Sequence, residues 1–519
     1  MAQEISIINR WLFAAWGAIL LGLGVIFQLN RGEWKDAFYY DGDNITLALA
    51  LKSIIDGESF RWVFSSQSFI FPEGPLFSVA YLISENFKSA LLTSTYLNIS
   101  LIAVLIFLIA RHIYADYRQT LLSTVLFIVF LIFSFNLEHK PDINSTTIIT
   151  LILFTTYYVG VILVSLLQIW LYGLASNLVA LTRLTVGMLI ACSTGFACAS
   201  NPLFLLQFVV PCLLLGAILT LTHDYRRDAI FVLCTSLGGA VIGFVIRMFL
   251  SVYTAASVSS YISIDRMYSA IASLTLSVHT GVNDPLILLL WSFWLLLFFF
   301  HGLVYIYALR QQEGPVGFGF IFFHAFCILS PIITLAGIVL SGNHLTRYLI
   351  PIPFFTMAGA ALIAPVFFRS GLSHFHIVLV LLSGTLLTYI SYLNVSKATP
   401  NAESNIECFF NYAKETNAKF VGSFATSRYL NLYSNLGTPI QQVDKEFKPL
   451  NWLSNRYEHL GDRISHVIVD KQDYPVLITT TDTIMLGRPR SVHECHDFYI
   501  YRYDPTSNGY KILNERVRQ

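Results

Sequence analysis

A chain of 519 residues in which 55% are hydrophobic and only 12% are charged does not have the composition of a soluble globular protein. Its formal net charge is +1, without the basic excess that is typical of proteins that bind nucleic acids. The composition predicts an α-helical polytopic membrane protein in contact with membrane lipid, and it gives no support for a nucleic-acid partner.

Apolar runs that meet or nearly meet the roughly 20 residues of a membrane-spanning helix recur through most of the chain. We predict about eleven spans, at residues 11–29, 90–110, 121–135, 146–170, 184–200, 203–222, 229–250, 286–309, 316–340, 347–368 and 374–394. The run at 121–135 is short, and Pro202 could kink a single span instead of separating two.

The arginines of the loops predict an orientation, because lysine and arginine collect on the cytoplasmic side of membrane proteins. Arg10, Arg183 and Arg310, with the arginines of other alternate loops, fall on one side of an alternating count. We therefore expect a cytoplasmic amino terminus and an extracytoplasmic carboxyl terminus. The compact loops favour a bacterial inner (plasma) membrane, although an endoplasmic-reticulum protein would have the same arrangement with its tail in the lumen.

The long outer loop at residues 30–89 contains two closely spaced carboxylates directly after the first span. Asp41 and Asp43 lie in the sequence Phe-Tyr-Tyr-Asp-Gly-Asp-Asn, with a glycine between them. Acidic residues are rare beside a bilayer, and paired carboxylates suit acid/base or cation chemistry. This stretch is therefore the first candidate for a functional site.

The residues that follow, 44–56, have apolar side chains at helical spacing and end at Gly57. We predict a helix that lies in the membrane interface, with Asn44 as its amino-terminal cap. Such a helix would place Asp43 at an amino terminus, where backbone N–H groups favour anionic ligands and ionised carboxylates.

The spans stop and the charge content rises from about residue 400. We predict two domains, a transmembrane module at 1–395 and a soluble extracytoplasmic α/β domain at 396–519. The pattern of the second domain predicts strands at 418–422, 465–469, 476–478 and 498–501, and helices at 403–415 and 426–435.

Two cysteines lie in the predicted soluble domain. Cys408 and Cys495 could form a disulfide if that side of the membrane is oxidising. The segment His493-Glu494-Cys495-His496 resembles a metal site, but four adjacent side chains cannot all face one ion. Aromatic residues of this domain, Trp452 among them, could contact sugar faces or form its core.

Most of the unusual polar residues lie in the predicted outer turns. They are Asp41, Asp43, Glu138, His139, Lys140, Asp142, Asp265, Arg266, His344 and Arg347. Each alone could be a solvated loop residue, but in a helical bundle these turns could converge on one cavity. The acids could there deprotonate a hydroxyl, while the cationic side chains neutralise a phosphate leaving group.

This arrangement resembles the C-type (GT-C) polytopic glycosyltransferases. The shared features are the acidic pair after the first span, the interfacial helix, a second acidic turn, the late segment His-x-x-Arg-Tyr-Leu-Ile-Pro at 344–351, and an outer soluble tail. The resemblance implies an inverting enzyme that transfers a sugar from a polyprenyl-phosphate donor. The acceptor would be an envelope glycan, a lipid or a protein on the extracytoplasmic face.

The resemblance also implies roles for individual residues. Asp41 or Asp43 would be the catalytic base, with Asp43 favoured at the helix start. Glu138, His139 and Asp142 would form the second acidic turn, which orients the acceptor or, in some members, helps to hold a divalent cation such as Mg²⁺ or Mn²⁺. The donor phosphate would be bound by Lys140, Arg266, His344 and Arg347.

Two other functions remain open at this point. A transporter or flippase of lipid-linked sugars would use the outer loops as a vestibule, but the predicted spans contain almost no carboxylates of the kind that coupled transporters bury. A glycan polymerase or ligase would use a similar donor lipid, and would be expected to rely on arginines more than on acids.

Overall fold

The computed structural model describes most of the chain. The described residues are 2–143, 145–254, 264–311, 317–342, 345–367, 374–393, 395, 401–416, 418–434, 440–450, 452–455, 463–471 and 486–517. The predicted phosphate ligand His344 and the predicted strand at 476–478 lie outside these residues.

Helices make up most of the fold. In chain order they are α1 (Ala2–Leu29), α2 (Trp34–Tyr40), α3 (Thr46–Ile55), α4 (Glu73–Ser84), α5 (Phe87–Ile113), α6 (Tyr117–Leu137), α7 (Val159–Ser176), α8 (Ala180–Ser200), α9 (Val210–Thr220), α10 (Arg226–Leu250), α11 (Ile264–Val282), α12 (Pro285–Gln311), α13 (Phe318–Ser341), α14 (Pro351–Phe367), α15 (His374–Leu393), α16 (Asn401–Thr416), α17 (Phe424–Tyr433) and α18 (Asn508–Val517).

Eight of the described helices, α5 to α8, α10 and α12 to α14, are long and apolar enough to cross a membrane. The pair α1 and α2 makes a ninth if it counts as one span bent by 92°. The shorter apolar helices Leu205–Thr220 and Val378–Leu393 correspond to two further predicted runs. The chain is thus an integral membrane protein, but the predicted count of about eleven spans is not confirmed.

The bend between α1 and α2 fixes where the acidic pair lies. Trp34, at the start of α2, is fully buried, and its indole N–H donates to the backbone carbonyl of Glu138 at 3.1 Å. Arg31 donates to the carbonyl of Asn136 at 2.8 Å, also at the end of α6. These two bonds hold α2 across the end of the bundle, so that Asp41 and Asp43 emerge over it.

The predicted span at 146–170 is α-helical in its second part only, from Val159 onward. The carboxylate of Glu138 accepts the backbone N–H groups of Ile148, Ile149 and Thr150 at 2.7 to 2.9 Å, ahead of a short 3₁₀ helix at Thr150–Leu153. Irregular backbone is tolerated deep in a membrane protein where other groups satisfy its polar atoms. Because the buried Glu138 carboxylate satisfies these N–H groups, the segment before Val159 need not form the regular α-helix that its hydrophobicity predicted.

The strands lie mainly in the carboxyl-terminal region. They are β1 (Trp62–Val63), β2 (Lys419–Gly422), β3 (Gln441–Gln442), β4 (Ser454–Asn455), β5 (Ile464–Asp470), β6 (Ser491–Glu494) and β7 (Phe498–Arg502). Five of them form a sheet in the order β3-β2-β5-β7-β6, in which β2 is parallel to its neighbours and β7 antiparallel to both of its own. Helix α16 precedes β2 in sequence, and α17 lies between β2 and β3. The small α/β unit at the end of the chain agrees with the predicted fold class.

A two-stranded sheet joins the carboxyl-terminal region to the first outer loop. Trp62 of β1 pairs with Asn455 of β4, and Val63 pairs with Ser454, in antiparallel register. The side chain of Asn455 also donates to the carbonyl of Ser59 at 3.1 Å. Pairings of this kind link residues almost 400 positions apart, and no local pattern in the sequence predicted them.

The structure joins Cys408 of α16 to Cys495, which follows β6, in a disulfide with a Cα–Cα distance of 5.9 Å. His493 lies beside it, with its Nε2 atom 3.5 Å from the Cys408 sulfur. The bridge connects α16 to the edge of the five-stranded sheet, and it closes a segment of 87 residues.

Candidate active site

The acidic pair lies in a tight turn between α2 and α3. One carboxylate oxygen of Asp41 accepts the backbone N–H groups of Asp43 at 2.8 Å and Asn44 at 3.1 Å, which is the bonding of an Asx turn. The Tyr157 hydroxyl donates to the same oxygen at 3.1 Å. Asp41 therefore serves to shape the turn that presents Asp43.

Burial, with the neighbouring charge of Asp43 as a second cause, raises the pKa of Asp41 to about 6. The hydrogen bonds from the turn and from Tyr157 act in the opposite direction, because they stabilise the ionised carboxylate. The hydrogen bonds therefore offset only part of the free-energy cost of burying the ionised Asp41 carboxylate.

Replacing Asp41 with Asn is expected to raise the melting temperature more at pH 8 than at pH 5. A folded-state pKa near 6, above that of the unfolded chain, gives stability in acid that is lost as the pH rises through about 6. With an unfolded-state pKa near 4, the substitution should increase the free energy of unfolding by about 1 kcal/mol more at pH 8 than at pH 5. Thermal unfolding in detergent measures both shifts, and equal shifts at the two pH values would contradict the assignment.

Asn44 does not have the predicted capping role. Helix α3 begins at Thr46, and its capping position, Ile45, makes no side-chain hydrogen bond. The fully buried amide of Asn44 instead donates to the Phe38 carbonyl at 2.6 Å and accepts the backbone N–H of Thr155 at 2.7 Å. It is therefore used to anchor the turn to the irregular segment before α7.

Asp43 forms an ion pair with Arg347, across a sequence separation of 304 residues. The distance from its Oδ2 atom to Nη1 of Arg347 is 2.6 Å, and both side chains are about one quarter exposed. The guanidinium also lies over the ring of Tyr157, 5.5 Å from the centroid. The Thr156 hydroxyl holds the Asp43 backbone by donating to its carbonyl at 2.7 Å.

A cavity of ≈160 Å³ opens at this ion pair. Asp43 and Arg347 both line it, whereas Asp41 is not among its lining residues. Further walls come from Ser65 and Gln67 of the first outer loop and from Trp452 of the carboxyl-terminal region. One carboxylate and one guanidinium thus face a common space, with an aromatic side chain beside them.

Glu138, for which the sequence predicted a role at an acceptor site, is not among the residues that line this cavity. It is fully buried, and both carboxylate oxygens accept backbone N–H groups. Burial raises its pKa, while these hydrogen bonds act in the opposite direction. In the structure this carboxylate binds the backbone N–H groups at the start of a 3₁₀ helix, and its role toward an acceptor stays a prediction.

Of the other predicted ligands, those that the structure describes apart from Arg347 do not line this cavity. His139 lies 3.4 Å from the Asp284 carboxylate, and Lys140 is exposed. Asp142 accepts a weak bond from Thr146 at 3.5 Å. Arg266 packs so closely on Gly342 that a Cβ atom there would lie 2.1 Å from the Arg266 Cβ.

The described donor set does not fit the divalent cation that the resemblance allows. Asp43 is paired with a guanidinium, and the Asp41 and Glu138 carboxylates accept N–H or O–H groups. Among the residues that the structure describes, the one cluster of three suitable side chains is Cys408, His493 and Cys495, two of which are disulfide-bonded. Mg²⁺ is usually bound by one or two carboxylates together with substrate phosphates and water, and the only described carboxylate that lines this cavity, Asp43, is already paired with Arg347.

Removal of divalent cations is therefore expected to leave the activity unchanged. Arg347 already supplies the positive charge beside Asp43 that a cation would provide elsewhere. Turnover of the purified protein with excess EDTA, compared with turnover after Mg²⁺ or Mn²⁺ is added back, measures this. Loss of turnover that either cation restores would contradict it.

No protein-family model matches the chain, and no curated protein matches it in sequence. Among solved structures, ArnT from Cupriavidus metallidurans in the apo state aligns over 99% of this chain and 99% of its own, with 11% identity and a TM-score of 0.53. The oligosaccharyltransferase of Archaeoglobus fulgidus, tethered with an acceptor peptide, aligns over 88% of this chain and 69% of its own, with 11% identity and a TM-score of 0.45. The likeness to ArnT confirms the predicted C-type (GT-C) fold.

Proposed function

We propose that the chain is an inverting glycosyltransferase of the membrane that takes a sugar from a polyprenyl-phosphate donor. The observation that supports this most is the pair of Asp43 and Arg347 on the wall of one cavity, 2.6 Å apart. Transfer from a sugar phosphate needs one base for the acceptor and one cationic group for the leaving phosphate. Both are present at this pair, in a chain with the GT-C fold.

In the proposed reaction, Asp43 accepts the proton of an acceptor hydroxyl while the hydroxyl oxygen attacks the anomeric carbon. The bond from that carbon to the phosphate oxygen breaks, and the electron pair leaves with the polyprenyl phosphate. Attack opposite the leaving group inverts the anomeric configuration. The phosphate departs as an anion, so that Arg347 stabilises the developing charge and no general acid is required.

The ion pair also suggests how donor binding prepares the base. In the structure, Arg347 donates to the Asp43 carboxylate. A donor phosphate competes for the same guanidinium, and bidentate contacts of arginine with phosphate are strong. Because Arg347 then shares its charge with the phosphate, Asp43 becomes a better proton acceptor only when the donor is in place.

The cavity lies between the turn that follows α2, the first outer loop and the segment before α14. By the predicted orientation this is the extracytoplasmic side of a bacterial inner membrane. A donor phosphate would then lie at headgroup level, with its polyprenyl tail among the spans. The acceptor would be an envelope glycan, a lipid or a protein presented on that side.

The stereochemistry of the product tests this proposal. The purified protein is incubated with short-chain polyprenyl-phosphate sugars of known anomeric configuration and with cell-envelope glycan or lipid acceptors. Proton NMR of the product should show a new glycosidic bond with the opposite configuration. A product with retained configuration would contradict single-step displacement with Asp43 as the base.

A further inference from the structure

A buried arginine of the carboxyl-terminal region reaches into the turn that carries the acidic pair. Arg428 lies on α17, and 2% of its surface is exposed. Its Nε atom donates to the carbonyl of Gly42 at 2.8 Å, between Asp41 and Asp43 in sequence. Its Nη2 atom donates to the Thr46 hydroxyl at 2.8 Å, at the start of α3.

The third nitrogen of the same guanidinium contacts a second segment that lines the cavity. Nη1 of Arg428 donates to the carbonyl of Leu453. Leu453 and its neighbour Trp452 line the cavity that Asp43 and Arg347 also line. One side chain therefore bonds both to the turn that presents Asp43 and to another segment that lines the same cavity.

The close approach of α17 requires the glycine between the two acids. A Cβ atom at Gly42 would lie 2.9 Å from the Phe424 ring and 3.2 Å from Cδ of Arg428. The Phe424 ring in turn lies 4.9 Å from the guanidinium carbon. Glycine at this position thus allows the turn to pack directly against the arginine.

We propose that Arg428 is a positioning residue for the transfer reaction, which sets the distance between Asp43 and the Trp452 wall. The inference rests on the proposed function, because positioning is meaningful only if Asp43 acts as the base. Each nitrogen of a planar guanidinium donates in a fixed direction. The three bonds from Arg428 therefore restrict the position of the turn relative to Leu453 more than a single bond would. Small displacements of a catalytic group reduce turnover strongly, whereas ground-state binding of the donor to Arg347 changes less.

Kinetics of Arg428 variants test the proposal. Arg428→Ala is expected to lower kcat by about 10- to 100-fold with little change in the KM for donor. Guanidinium ion at millimolar concentration should restore part of the lost kcat by occupying the vacated site, whereas urea, of similar shape but neutral, should not. Arg490→Ala, which removes an exposed arginine of the same region, is the control and should have wild-type kinetics.

A milder substitution keeps the test decisive if Arg428→Ala does not fold. Thr46→Val preserves the shape of a fully buried side chain and removes one acceptor of the guanidinium. Its kcat should fall by a few-fold, roughly the effect of one lost positioning bond, with an unchanged donor KM. A wild-type kcat in both Thr46→Val and a folded Arg428→Lys would overturn the proposal. A reduced kcat in Arg428→Ala that guanidinium ion does not restore would also overturn it.

The outcome is separable from the proposed function itself. If the wild-type protein transfers no sugar from any donor tested, the proposed function fails. If the wild type transfers sugar and the Arg428 variants do so equally well, only the positioning role fails.

Discussion

Replacing Asp43 with Asn is expected to lower kcat by about 10²- to 10⁴-fold, the range in which positioned general bases contribute. The amide has nearly the same shape as the carboxylate but cannot accept the acceptor proton, so the chemical step loses its base. Initial rates of sugar transfer at saturating donor and acceptor measure the loss. Asp56→Asn, which changes an exposed acid of the same outer loop, is the matched control.

Donor binding distinguishes loss of the base from loss of the fold in this variant. Asp43→Asn removes the carboxylate that holds Arg347 at 2.6 Å, and the guanidinium is then more available to a phosphate. Donor affinity should be retained or increased while turnover is lost. Weaker donor binding together with a lower melting temperature would show instead that Asp43 has a structural role, and near-normal kcat would exclude it as the base.

Replacing Arg347 with Ala is expected to give the complementary result, a fall in kcat/KM for donor of about 10²- to 10³-fold. The variant removes the positive group for the donor phosphate and leaves Asp43 without its ionic partner at the cavity wall. Arg347→Lys should recover part of the activity, because it restores the charge but not the bidentate geometry.

Binding of a fluorescent or radiolabelled polyprenyl-phosphate sugar separates the two contributions of Arg347. The affinity should fall in Arg347→Ala and remain at the wild-type level in Arg310→Ala, which changes an exposed arginine at the end of α12. Unchanged donor affinity in Arg347→Ala would place the phosphate elsewhere.

The fold class was predictable because hydrophobicity acts over whole segments. Long apolar runs predicted the helices α5, α6 and α10 without any knowledge of their neighbours. The same signal failed between residues 146 and 158, because a single buried carboxylate, that of Glu138, satisfies the backbone N–H groups of an irregular segment. Which way one acid points is decided by packing, which composition does not report.

The site was predictable to the extent that its chemistry is local. The sequence identified Asp41 and Asp43 as two acids separated by one glycine close to a predicted span. It identified Arg347 as a charged residue in a late outer turn. That Asp43, rather than Glu138 or Asp41, faces Arg347 depends on a contact between residues 304 positions apart. The sequence did not predict a role for Arg428. Its partner Gly42 is 386 residues away, and the sequence of α17 has only the pattern of a helix in a soluble domain.

The most direct test of glycosyl transfer with Asp43 as the base measures transfer of radiolabelled sugar by the purified wild-type protein, from a panel of short-chain polyprenyl-phosphate sugars to cell-envelope acceptors. We expect label in the acceptor with the wild type and with Asp56→Asn, and about 10²- to 10⁴-fold slower labelling with Asp43→Asn. The opposite result would be no transfer from any donor, with the labelled lipid moved across liposome membranes by the wild type and by Asp43→Asn alike. That result would contradict glycosyl transfer and identify a transporter.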